Sequence, residues 1–282
     1  MAFAAVGAIL LAVVVANYWA EPNDNLAYWL AGQRLVGGEP IYVLREAAFA
    51  PYAYHYPPPL AQFLAPLTLV VPTIAYIIGY RGLLLLATWD LAGRRILPML
   101  ALIAFLPVAV ELRFENVHLF MALGIVLGLR RWPWLFAVGT VGKLSPGLGI
   151  VYLVLRRRWR DALIASVVGA VIIGVSFALD PGLWRAWLDT VLGQAGVTGN
   201  SLLPVPYVVR AAAGLAMTVA GGMVGWRRGE LLLVAGITVA NPGLALGGFA
   251  VLAAAVPIWF AGPAGIGERE QPPGGRAETL PA

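Results

Sequence analysis

A chain of 282 residues that is 60% hydrophobic and only 12% charged carries about half the charged share of a soluble domain, so it needs lipid as its solvent. Its net charge of +5 sits in short arginine clusters between apolar runs, the placement of loop anchors, so no nucleic-acid partner is expected. With no cysteine and two histidines, disulfides and cysteine nucleophiles are excluded, and neither a metal site nor a cofactor is expected.

The first apolar run, about 2–18, has a signal-like core without a basic leader and reads as a first membrane helix. Further runs follow at about 60–71, 73–92, 96–110, 117–129, 132–155, 162–179, 204–225, 231–240 and 243–260. A span takes roughly 20 apolar residues, so the chain is expected to be an all-α polytopic membrane protein. It should hold about eight to ten transmembrane or re-entrant helices in a single domain, 1–260, followed by a disordered Pro/Gly-rich tail, 261–282. Arginine clusters at 94–95, 130–131, 156–160 and 227–228 are placed on the cytoplasmic face by the positive-inside rule. The stretches 19–58, 111–116 and 180–203 then lie on the other face. Localisation is accordingly a multi-pass integral plasma membrane protein with its polar working surface turned away from the cytoplasm.

Two runs strain this topology. The segment 58–92 is too short for two spans and predicts a shallow helix ending at Pro72 followed by one full span. The segment 132–155 lies between two arginine clusters and is interrupted at Leu144 to Pro146. A proline removes helical hydrogen bonding, so a re-entrant pair of half-helices is predicted, with Lys143, the only lysine in the chain, near its tip. An ionisable group at that depth is costly unless it faces a cavity or a partner; Asp24, Glu111 and Glu115 are the candidate partners. Arg81, inside another apolar run, is expected to snorkel or to pair with Asp90. The stretch 180–203 opens on Asp-Pro, a helix start, and places Trp184, Trp187, Leu188 and Val191 on one face of an amphipathic surface helix.

Asp24 follows the first run at the expected start of a short helix carrying Tyr28 and Arg34. An aspartate there serves either as a cap or as a general base. Gly37-Gly38, Tyr42 and the turn Tyr56-Pro57-Pro58-Pro59 complete this stretch, the prolines stopping one element and opening the next helix. Glu111, Arg113, Glu115, Asn116 and His118 gather where two later helices meet.

The series Asp24-x₃-Tyr28-x₂-Ala31-x₅-Gly37-x₄-Tyr42, then Tyr56-Pro57-Pro58, Pro66-Leu67 and Pro72, resembles glycosyltransferase family 87. So do the polar patch at 111–118, the Lys-x-x-Pro break at 143–146 and the basic RRRWR segment, over about residues 10 to 260. The resemblance implies a GT-C-like helical bundle and an inverting transfer of a sugar, mannose or a related hexose. The donor would be a polyprenyl-phosphate sugar, and the acceptor a glycolipid or glycan, met beside membrane lipid. It implies Asp24 as catalytic base. The donor phosphate would be bound by Lys143 and Arg113, then Arg34. Substrate contacts would come from Tyr28, His55, Tyr56, Glu115, Asn116 and His118; Glu115 to His118 align with the family's Gly-Gln-x-Asn. At Asn241-Pro242 the C-terminal break persists, but the family's tryptophan and histidine are absent. Two other functions stay open on the residues alone: a lipid-linked saccharide transporter or flippase, suggested by the broken helices, and a non-catalytic relative that binds lipid carriers.

Overall fold

The structure is a computed structural model that describes residues 2–16, 24–42, 53–194, 202 and 205–260. Helices occupy nearly all of them and no strand occurs among them, so the protein is an all-α polytopic membrane protein. In chain order the α-helices are α1 (Ala2–Ala16), α2 (Asp24–Val36), α3 (Pro58–Thr68), α4 (Thr73–Leu91), α5 (Ile96–Ile103), α6 (Leu106–Phe114) and α7 (His118–Arg130). They continue as α8 (Leu135–Gly142), α9 (Leu148–Leu155), α10 (Trp159–Leu179), α11 (Pro181–Gln194), α12 (Tyr207–Met223), α13 (Trp226–Val239) and α14 (Ala255–Phe260). Among the described residues two 3-10 segments, Ser145–Gly147 and Leu246–Ala254, join α8 to α9 and precede α14. The segment 261–282 lies outside the described residues, as do residues 43–52.

Among the described residues two helices, α4 and α10, are each long and apolar enough to cross a membrane, and their windows are largely unburied, as lipid-facing spans are. Prolines divide the rest. Pro72 precedes the first turn of α4, and Pro57 precedes α3, whose first residues are also proline; with φ fixed and no N–H to satisfy, proline suits those places. The apolar run at 96–110 forms two helices, α5 and α6, bent by 87°. Pro107 sits in the first turn of α6, and that helix runs on to Phe114.

The break at 143–146 forms a helical hairpin. Phe136 of α8 meets Gly149 of α9, and Gly139 meets Pro146, so the two short helices run antiparallel with Lys143 at the turn. A methyl group on Gly149 would sit 2.0 Å from the Phe136 ring, so only glycine lets that ring pack there. In the pair α12 and α13 the backbones themselves meet. A methyl group on Gly236 would lie 2.6 Å from the Gly214 carbonyl oxygen, and one on Gly229 2.3 Å from that of Gly221. Backbone-to-backbone approach of this kind is how small residues join helices in lipid, where burial of apolar surface gives no drive.

Arg81 does neither of the things expected of it. Its Nε lies 2.7 Å from Glu115 Oε1, both side chains being buried, while Asp90 pairs with Arg94. The span containing Arg81 packs on the polar corner at 115, and a buried guanidinium takes the carboxylate within reach. In α11, Asp180 Oδ1 accepts the N–H groups of Gly182 and Leu183, a helix cap. Trp187 turns inward into the cluster that holds Tyr28, Ile41 and Tyr54, whereas Leu188 and Val191 are exposed.

Among the described residues two apolar clusters make up the interior. The larger gathers α4 to α10 with α13, the second 3-10 segment and α14; the smaller gathers α2, Ile41, Tyr42, Tyr54, α3 and Trp187. Tyr80 and Val117 touch both. Between the clusters runs a polar seam.

Candidate active site at the corner between α6 and α7

The seam is built by the turn that ends α6 and starts α7. Glu115 follows the last residue of α6 with φ 59°, the left-handed conformation that closes a helix, and its N–H donates to the Glu111 carbonyl at 2.7 Å. A non-glycine residue in that conformation is uncommon. The buried ion pair with Arg81 holds its side chain. The chain then reverses, and Asn116 and His118 emerge on the inner side of the corner.

Asn116 is the hub. Its Nδ2 donates to Asp24 Oδ2 at 2.7 Å. Its Oδ1 accepts the Val117 N–H at 2.8 Å and lies 3.1 Å from both the Tyr28 and the Tyr56 hydroxyls. Those hydroxyls are 2.8 Å apart. Each phenol has one hydrogen to give, so one tyrosine donates to Asn116 and the other to its fellow. The Asn116 carbonyl accepts from Tyr80 at 3.0 Å. The Tyr28 and Tyr56 rings meet edge to face at 4.8 Å between centroids, and Tyr42 donates to the Tyr56 carbonyl at 2.8 Å.

Lys143, at the hairpin turn, reaches the same place. Its Nζ is 2.7 Å from His118 Nε2 and 5.6 Å from the centre of the Tyr56 ring, within cation–π range. His118 Nδ1 is 2.8 Å from Glu111 Oε2. Asp24 begins α2 and keeps access to solvent. Even so, the protein packed around its carboxyl strips hydration and raises it above the ordinary carboxylate range. The Asn116 hydrogen bond and the Lys143 charge pull the other way, and Glu111 adds to the rise.

The sequence-derived candidates are therefore distributed as follows. Asp24, Tyr28, Tyr56, Asn116, His118 and Lys143 form one connected set. Glu115 adjoins it but spends its Oε1 on Arg81. Arg113 is half-buried on α6 and lies over the Phe114 ring at 5.6 Å, its charge acting on Glu115. His55 is exposed one position before Tyr56. Arg34 lies in the last turn of α2, about 15 Å along the axis from Asp24 at 1.5 Å per residue.

Three features were missed. Glu111, expected in the polar patch and as a candidate partner of Lys143, is instead in contact with His118, which joins residues on different helices. Arg81 was assigned the wrong partners. Arg210, an arginine inside the apolar run at 204–225, was overlooked although that placement was itself the signal. It is nearly fully buried and donates to the carbonyls of Asn241 at 2.6 Å and Pro242 at 2.8 Å, closing the end of α13.

Set against known protein families, residues 54–270 match the one described as glycosyltransferase family 87. Tyr56, Glu111, Asn116, His118 and Lys143 fall inside the match, and Asp24 and Tyr28 precede it. No curated protein and no solved structure matches the chain.

Proposed function

The chain belongs to glycosyltransferase family 87, and from that membership we propose that it moves a sugar, mannose in our reading, from a polyprenyl-phosphate donor to a lipid-linked or surface glycan. The reaction is assigned to the non-cytoplasmic side of the plasma membrane, within a GT-C-like bundle. The observation that carries this reading is the joining of a carboxylate, Asp24, and a cation, Lys143, to one hydrogen-bonded corner through Asn116, Tyr56 and His118.

Asp24 takes the proton of an acceptor hydroxyl, and that oxygen attacks the anomeric carbon. The bond from that carbon to the phosphate oxygen breaks on the opposite face, so the configuration inverts. The leaving group is a lipid phosphate, which departs as an anion and needs no proton. What the protein supplies is orientation of the two substrates and stabilisation of the charge growing on phosphate. Lys143 is the phosphate-binding cation, with Arg113 and then Arg34 as further candidates. Tyr28, Tyr56, Asn116 and His118 orient the base and the sugar, and Glu115 and His55 flank them. The reaction as written consumes no nucleotide.

The test is transfer of labelled sugar from a polyprenyl-phosphate donor in membranes carrying the wild type, Asp24→Asn or Asp24→Ala. Loss of transfer in both variants supports the proposal. Unchanged transfer removes Asp24 from the mechanism, and translocation of a lipid-linked saccharide without transfer moves the protein to the transporter class.

A further inference from the structure

Behind the reaction centre the polar line continues inward through His118 to Glu111. Both carboxylate oxygens of Glu111 are engaged by one residue: Oε1 by the backbone N–H of His118 at 2.5 Å, and Oε2 by its ring Nδ1 at 2.8 Å. The first contact satisfies an N–H that the start of α7 leaves without an intrahelical partner. The second has a chemical consequence. An accepting Oε2 requires the hydrogen on Nδ1, so Nε2 presents its lone pair. Lys143 Nζ stands 2.7 Å from that lone pair, and an ammonium only donates. Glu111 and His118 are buried, with 1% and 2% of their surface exposed. With Glu111 as a carboxylate and Lys143 as an ammonium, the line has one self-consistent arrangement of hydrogens, from Lys143 to His118 to Glu111.

We propose that Glu111 is a positioning residue for sugar transfer: by fixing His118 as the Nδ1–H tautomer it makes the imidazole accept one hydrogen of Lys143 and leaves the other ammonium hydrogens for the donor's phosphate. The proposal rests on the transferase reading above and extends it to a residue that does not touch substrate. Without the carboxylate, the imidazole is free to carry its hydrogen on Nε2, which would then face the ammonium as donor against donor.

The substitution Glu111→Gln isolates this chemistry. A glutamine fills the same space but places an NH₂ at one of the two positions that Oε1 and Oε2 occupy. The Nδ1–H tautomer then meets a donor on one contact, and the tautomer that relieves the ring contact turns Nε2–H toward the Lys143 ammonium.

Lys143 is the only lysine, so protein labelled with lysine carrying ¹⁵N at the side-chain nitrogen has one reporter resonance. The groups facing that nitrogen are Glu111 from α6, His118 from α7, Asp24 from α2 and Tyr56 ahead of α3. In Glu111→Gln the resonance is expected to move and to titrate at lower pH, because removing a nearby negative charge disfavours the ammonium. Transfer by the same variant should show a donor KM raised about 10- to 100-fold, the range for loss of an outer partner that orients a histidine ligand. His118→Ala should lose a similar factor, and the double variant no more than the larger single loss, since Glu111 acts through His118.

A resonance that does not move, or losses that multiply in the double variant, would overturn the proposal. Should Glu111→Gln fail to accumulate, Glu111→Asp keeps the acceptor-only chemistry with a shorter reach; an intermediate shift of the resonance supports the line and an unmoved one refutes it. A wild type that transfers no sugar would sink the transferase reading, while the resonance still decides whether Glu111 governs Lys143.

Discussion

The side-chain amide of Asn116 donates to Asp24 Oδ2 at 2.7 Å across 92 positions of sequence, and its oxygen holds the hydroxyls of Tyr28 and Tyr56. One amide thus orients the carboxylate on α2 from one end and anchors two aromatic walls from the other. Replacing it by alanine frees Asp24 to rotate and leaves one phenol and the Val117 N–H short of an acceptor. For Asn116→Ala, kcat is expected to fall about 100-fold, the scale of a small misplacement in a reacting pair. Stability should drop by about 1–3 kcal/mol for the orphaned polar groups. Initial rates and thermal unfolding in detergent check the two effects separately.

The raised carboxyl of Asp24 sets the direction of the pH dependence. A base works only when deprotonated, so the acid limb of the kcat/KM profile should lie above the ordinary aspartate range of about 3.9. Asn116 lowers the carboxyl by its hydrogen bond, so in Asn116→Ala the limb should move further up. A wild-type limb at or below the ordinary range would contradict the assignment.

The same shift has a consequence for folding. A carboxyl whose folded value is raised binds its proton more tightly in the native state, so stability declines as pH climbs from the unfolded value through the folded one. At neutral pH the ionised Asp24 is therefore a burden on the fold. Asp24→Asn is expected to unfold at the same or a higher temperature than wild type while losing about 100- to 10,000-fold in transfer, the range for removal of a general base.

Breaking the Arg81–Glu115 pair tests whether the corner depends on it. Either Arg81→Met or Glu115→Leu alone strands a buried charge, at a cost of about 3–5 kcal/mol. The double substitution should recover most of that stability. Because Glu115 is the residue that turns α6 into the corner, activity should recover less completely than stability, and comparing unfolding midpoints with rates exposes the difference.

At the joint of α12 and α13, Gly236→Val would force a side chain into the Gly214 carbonyl. The helices must separate, at an expected loss of about 1–3 kcal/mol. Gly243→Ala, where an added methyl group meets nothing within 4 Å, serves as the control and should unfold with the wild type.

Much of this molecule is written in its order of residues, because lipid imposes a strong local rule. Apolar runs bounded by arginines must be helices, and that rule alone yields the all-α polytopic class. Proline punctuation then divides 58–92 at Pro72, and the Leu144–Pro146 break yields a hairpin with Lys143 at its turn. The rule is silent on what happens between helices. The 87° bend between α5 and α6 and the left-handed Glu115 are set by packing and by the pull of Arg81, neither visible in a run of apolar letters. For the same reason Asp24 and Asn116 are each recognisable as candidates in the sequence, but their pairing is not. Hydrogen bonds reach about 3 Å, and only the folded chain brings α2, the α6–α7 corner and the hairpin turn within that distance.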